Sequence, residues 1–106
     1  MEPSILSTIL GDSVQIKLIE FFIVNNKGLF QLTDIAKILE ISHSRVHDLI
    51  DTLVKKRIIF ETKSNRNRLF EFNINHPISK QLVELYKVIR AYNIASQWAL
   101  KYNMIY

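Results

Sequence analysis

Apolar residues recur along this chain at two different intervals, and the change from one to the other falls near Ile58. Upstream the interval is helical. From Val14 to Val24 the side chains of Val14, Ile16, Leu18, Ile19, Phe21, Phe22 and Ile23 point to almost every side, so this helix needs cover on more than one face, from its own core and from a partner or the terminal helix. Gly11-Asp12-Ser13 separates it from a short apolar segment (Ile5, Leu6, Ile9, Leu10), and Asp12 or Ser13 can cap it. Asn25-Asn26-Lys27-Gly28 ends it with turn residues, and Leu29 to Gln31 is long enough only for a short strand. Leu32, Ile35, Ala36 and Leu39 then step by i, i+3, i+4, i+7 in a helix of about two turns opened by Thr33 and Asp34. Ile41 falls in a turn and Ser42 is a good N-cap for the next helix. There Val46, Leu49, Ile50, Leu53 and Val54 form one stripe, and Ser44, Arg45, His47, Asp48, Thr52 and Lys55 form the opposite side.

Downstream the interval falls to two. Phe70, Phe72 and Ile74 alternate with Glu71 and Asn73 as in a half-buried strand, Ile58 to Lys63 is its partner, and residues 64–67 are the loop between them. Pro77 suits a first helical position, and the pattern predicts a helix from there to about Tyr102. Ile78, Leu82, Leu85, Ile89, Tyr92 and Ala99 step along it by three and four, with Ser96 filling one place and Tyr86, Ala95, Trp98 and Tyr102 on a second flank. The expected architecture is mainly α with a small β-hairpin: residues 1–76 as one domain and 77–106 as an appended helix.

At 106 residues the chain has room for one compact core. Its apolar content of 48% with 23% charged residues suits a folded domain. No apolar run is long enough to cross a bilayer, and MEPSILSTIL lacks the basic start and long apolar centre of a secretory signal, so a cytoplasmic location without a membrane partner is expected. Without cysteine there is no disulfide, thiolate metal site or cysteine nucleophile. The net charge of +4 is uneven: between Lys55 and Arg68 six basic residues face the single acid Glu61, a net of +5 that leaves −1 for the remainder. A basic segment on a near-neutral body suits a polyanionic partner, although a charged face can also be merely solvated.

The order helix, short strand, helix, turn, helix, hairpin resembles the winged helix-turn-helix domain of transcriptional regulators, in particular archaeal-type members similar to ArsR- and MarR-like DNA-binding domains. The likeness is carried by Gly11-Asp12-Ser13-Val14-Gln15-Ile16-Lys17-Leu18-Ile19, by Leu32-Thr33-Asp34-Ile35-Ala36-Lys37, by Ile41-Ser42-His43-Ser44-Arg45-Val46, and by Arg68-Leu69-Phe70-Glu71-Phe72 running into His76-Pro77. It covers residues 11 to about 82. One position departs from the pattern. Members usually carry glycine where this chain has Arg57, and because glycine accepts a left-handed backbone more easily, the exit from the helix is expected to differ locally.

The resemblance implies that the helix beginning at Ser42, about residues 42–56, lies in the major groove of double-stranded DNA. His43, Ser44, Arg45, His47 and Asp48 would then face base edges, with Arg45 matching guanine O6 and N7. Ser42, Ser44 and Thr33 could donate to phosphate. In the wing, residues 63–68, Lys63, Arg66 and Arg68 with Asn65 and Asn67 suit the backbone or the minor groove. Plainer roles stand beside these. Ser42 can simply cap its helix, Asp48 can face a basic neighbour or read a cytosine amine, and Lys55 and Lys56 can answer the helix dipole. His43 and His47 have a metal-binding spacing, but only acids such as Asp51 lie near as a third ligand, and no metal or cofactor is expected.

No glycine-rich phosphate loop, nucleophile elbow or HExxH occurs, so no enzyme activity is expected. The terminal helix is the expected homodimer surface, through Leu82, Leu85, Tyr86, Ile89, Tyr92 and Trp98, unless it folds back on its own core. The expected function is a sequence-specific DNA-binding regulator, a repressor since no activation segment is visible. The alternatives are a winged-helix module that docks proteins and a non-specific architectural DNA-binding protein.

Overall fold

Ser13 opens the first long helix by accepting a hydrogen bond from the Ile16 N–H at 3.1 Å, resolving the choice between it and Asp12. The structure, a computed structural model, describes residues 4–101. Its elements are α1 (Ser7–Leu10), α2 (Val14–Val24), β1 (Phe30–Gln31), α3 (Leu32–Leu39), α4 (His43–Lys55), β2 (Ile59–Ser64), β3 (Asn67–Phe72) and α5 (Pro77–Lys101). The predicted end of the last helix near Tyr102 lies outside the described residues.

The many apolar sides of α2 are covered from several directions. Leu18, Phe21, Phe22 and Ile23 are buried, and Phe21 meets Phe22 and Phe30 edge-on at centroid distances of 5.3 and 4.8 Å. The N-terminal segment supplies another lid: Leu6 is buried, and Glu20 Oε1 accepts from the Leu6 N–H at 2.7 Å and the Ser4 hydroxyl at 3.0 Å. Ile35 and Ala36 of α3, Val46, Ile50 and Leu53 of α4, and Phe70 and Phe72 of β3 complete the core.

The sheet has three antiparallel strands in the order β1-β3-β2, so the predicted hairpin gains β1 through the pairs Phe30↔Phe70 and Gln31↔Leu69. Two sequence expectations need correction here. The wing loop is two residues, Asn65-Arg66, because Ser64 and Asn67 already pair; left-handed Asn65 (φ 57°) permits so tight a turn. Ile74 does not continue the strand and is exposed. The chain breaks off at Asn73, whose side chain donates to Arg57 O at 2.9 Å and accepts from the Asn75 N–H at 3.3 Å.

The exit from α4 also differs from expectation. Arg57 takes the left-handed conformation (φ 62°) that glycine would, with its N–H bonded to Val54 O and the Ile58 N–H bonded to Leu53 O, both at 3.0 Å. The local path is therefore kept, and Ile58 drops into the core.

Candidate nucleic-acid interface

Two helix termini aim α4. Glu40, left-handed at φ 56°, stops α3: its N–H bonds to Lys37 O at 3.3 Å and the Ile41 N–H bonds to Ala36 O at 3.0 Å. Two residues on, Ser42 starts α4 by accepting from the Arg45 N–H at 3.3 Å. Val46, Ile50 and Leu53 anchor the helix in the core, which leaves Ser42, His43, Ser44, Arg45 and Asp48 exposed and His47 and Asp51 half-exposed. Thr33 at the start of α3 lies beside this row, its hydroxyl 3.4 Å from His43 Nε2.

The wing rises next to the same face. Across it, Lys63 pairs in register with Arg68, placing two cations side by side on the face that also holds Glu61 and Phe70. Lys63, Asn65, Arg66, Asn67 and Arg68 line a cleft of about 300 Å³ at its tip, with donors suited to an anion.

Arg68 is not free to serve as expected. Its Nε donates to Glu61 Oε2 at 2.9 Å and its Nη2 to Glu61 Oε1 at 2.7 Å, and Nη2 lies 3.4 Å from Asp51 Oδ1. The guanidinium also sits 5.3 Å from the centre of the Phe70 ring. Hydrogen bonding from Arg68, joined by its charge, holds the Glu61 carboxyl below the usual range against the opposing effect of desolvation. The same bonds push the Arg68 guanidinium further toward its charged form. Asp51 carries the chain of charges back along α4, its Oδ2 3.6 Å from His47 Nδ1, and Asp48 Oδ1 stands 3.7 Å from that same nitrogen. Asp48 and Asp51 thus both face a potential cation, the plainer role weighed for Asp48.

Sequence reasoning brought together the exposed row on α4 and the basic wing, and missed Glu61 and Asp51 as the groups that tie them. Among the described residues, the side chains of Arg45 and Arg66 form no hydrogen bond or ion pair, whereas the Lys63 charge joins that of Arg68 in lowering the Glu61 carboxyl. No group of three or more His, Asp or Glu side chains among those residues is placed to hold a metal. No helix among them is long and apolar enough to cross a membrane. A larger cleft of about 540 Å³, floored by Phe21, Val24 and Leu39 and edged by the Asp12–Lys17 pair, has no lining residue from α4 or the wing. No motif in the sequence marks it.

On α5 the expected contact row divides. Ile89 is buried in the chain's own core, and Leu82 and Tyr86 are half-buried against it, so Ile89 cannot serve a partner as expected. The helix sends one flank inward and leaves Leu85, Val88, Tyr92, Ile94 and Trp98 exposed.

No protein-family model and no curated protein matches the chain. Solved structures do. MepR of Staphylococcus aureus, a transcription regulator of the multidrug efflux pump MepA, aligns with a TM-score of 0.64 at 20% identity over 87% of this chain and 69% of its own. A MepR mutant bound to an oligodeoxyribonucleotide aligns with a TM-score of 0.65 at 18% identity, covering 92% of this chain and 69% of that one. The adhesin competence repressor AdcR of Streptococcus pyogenes aligns with a TM-score of 0.60 at 20% identity over 91% and 72%. Identities this low establish architecture, and the architecture is specific: this chain has the winged helix-turn-helix fold seen in transcription regulators, with a small three-stranded sheet and a long C-terminal helix.

Proposed function

We propose that the chain is a sequence-specific, double-stranded-DNA-binding transcriptional regulator, acting as a homodimeric repressor in the cytoplasm. The observation that carries this reading is the placement of the exposed α4 residues Ser42, His43, Ser44, Arg45 and Asp48 beside a wing tip lined by Lys63, Asn65, Arg66 and Asn67. An α-helix fits the major groove, and a basic hairpin at its flank reaches the adjacent backbone or minor groove. Arg45 is the base-reading side chain in this reading, with His43, Ser44, His47 and Asp48 beside it. Thr33, Ser42, Asn65 and Asn67 supply uncharged phosphate contacts. The likeness to a regulator solved with an oligodeoxyribonucleotide supports it at the level of fold. Residues 1–76 form the DNA-binding unit, and residues 77–106 provide the dimerisation element.

The test is selection of bound duplexes from a random pool, followed by titration with salt. A two-fold symmetric consensus is expected, with affinity falling steeply between about 50 and 200 mM salt as six to ten phosphates are neutralised. Arg45→Ala should lose about 1–3 kcal/mol of discrimination at one base position, whereas Arg66→Ala should weaken binding to all duplexes alike. No affinity for any duplex at low salt would favour a protein-docking module. Equal affinity for unrelated duplexes would favour an architectural role.

A further inference from the structure

Arg68 stands in the most basic part of the molecule and turns inward. Its fork is satisfied by Glu61 from β2 at 2.7 and 2.9 Å, its Nη2 reaches Asp51 of α4 at 3.4 Å, and its plane rests near the buried Phe70 ring. One cation therefore joins α4, β2 and β3. The side chain of Glu61 is only 18% exposed and that of Arg68 34%, so the pair is better shielded than a surface ion pair. Two carboxylates beside a surface that meets phosphates are an electrostatic penalty. On charge grounds alone their removal should tighten binding to any duplex. What they contribute instead is geometry, because a planar guanidinium held bidentately and braced by a second carboxylate has one orientation.

We propose that Asp51 and Glu61 are positioning residues of the nucleic-acid interface: they hold Arg68 away from phosphate as a strut that fixes the angle between wing and α4. This rests on the reading of the interface given above. The strut lowers affinity for every duplex and raises discrimination between them. Lys63 and Arg66 are then the wing cations that meet DNA, and Arg68 is not one of them.

The test uses the full chain on two duplexes, the one recovered by selection and a scrambled one of equal composition, across a range of salt. Wild type is compared with Glu61→Gln, with the double variant Asp51→Asn/Glu61→Gln, and with Arg68→Lys, which keeps the charge but cannot span both carboxylates. In the two variants that lose carboxylate charge, the ratio of the two affinities should fall by about fivefold or more, with the scrambled duplex bound at least as tightly as before. In the double variant the slope of log K against log salt should steepen by about 0.9 per protomer, as the released Arg68 neutralises one more phosphate. Arg68→Lys should lose discrimination as well. Uniform tightening on both duplexes with an unchanged ratio overturns the proposal, since the carboxylates would then act only as charges. Equal weakening on both overturns it too, since the cluster would then serve only to hold the fold together. A wild-type chain that binds neither duplex overturns the interface reading and the strut with it, and is recognised before any substitution is made.

Discussion

Arg57 bears a strain that its neighbours impose. Its φ of 62° places Cβ against the following carbonyl, at a cost of about 1–2 kcal/mol for a residue other than glycine. The conformation persists because it ends α4 with two backbone hydrogen bonds and delivers Ile58 to the core. Replacing Arg57 by glycine should remove the strain and add freedom to the unfolded chain, with a net gain of about 0.5–1 kcal/mol. Denaturant unfolding checks this as a higher midpoint at unchanged slope. A lower midpoint would mean that the arginine side chain stabilises the native state by more than its backbone costs. The position was legible in the sequence, because an arginine where a glycine is usual marks either a new path or a strained one. Arg68 was not legible. Its partners lie seven and seventeen residues away, and a loop read as four residues instead of two hid the register that places Glu61, Lys63 and Arg68 on one face.

At the level of elements, α3 and α4 were readable because each has an apolar face of helical spacing that the core consumes. Val46, Ile50 and Leu53 are buried as their spacing requires, and that fixes which side of α4 remains outside. The short strand β1 and the two-residue turn were not readable with equal sharpness, since pairing with β3 decides them and no local pattern reports it. The sequence allows Ser42 two roles, helix cap and phosphate contact, and in the structure it caps α4. The two roles separate by charge. Ser42→Ala should cost about 1 kcal/mol of stability, whereas Ser42→Asp preserves the capping acceptor and favours the helix dipole. If the start of α4 also approaches phosphate, Ser42→Asp should fold as stably as wild type and bind DNA far more weakly. Thermal melting and duplex titration on the same samples give both numbers. Undiminished binding by the aspartate variant would place the helix start away from the backbone.

The whole molecule is longer than its own core can use. Its radius of gyration is 15.7 Å, against about 13 Å for a compact chain of this length. The excess arises where α5 extends: its inner flank, with Ile89, Leu82 and Tyr86, packs on the body, while Leu85, Val88 and Tyr92 step by three and four along an exposed stripe. In the proposed homodimer a second copy of the same helix would cover this stripe, and a two-fold axis there would pair the two α4 helices for successive major grooves about 34 Å apart. The partner would meet Leu85 and Tyr92, both part of the expected contact row, and not Ile89, which the chain's own core takes. Introducing lysine at Leu85 and Tyr92 together should yield a folded monomer, since neither side chain is in the core. That monomer should keep its affinity for a single half-site and lose at least tenfold on a duplex carrying two, because the second binding event would no longer be intramolecular. Sedimentation at micromolar concentration, with titration of one-half-site and two-half-site duplexes, reads both effects. A double variant that remains dimeric would move the two-fold axis off this stripe and leave the pairing of recognition helices to another surface.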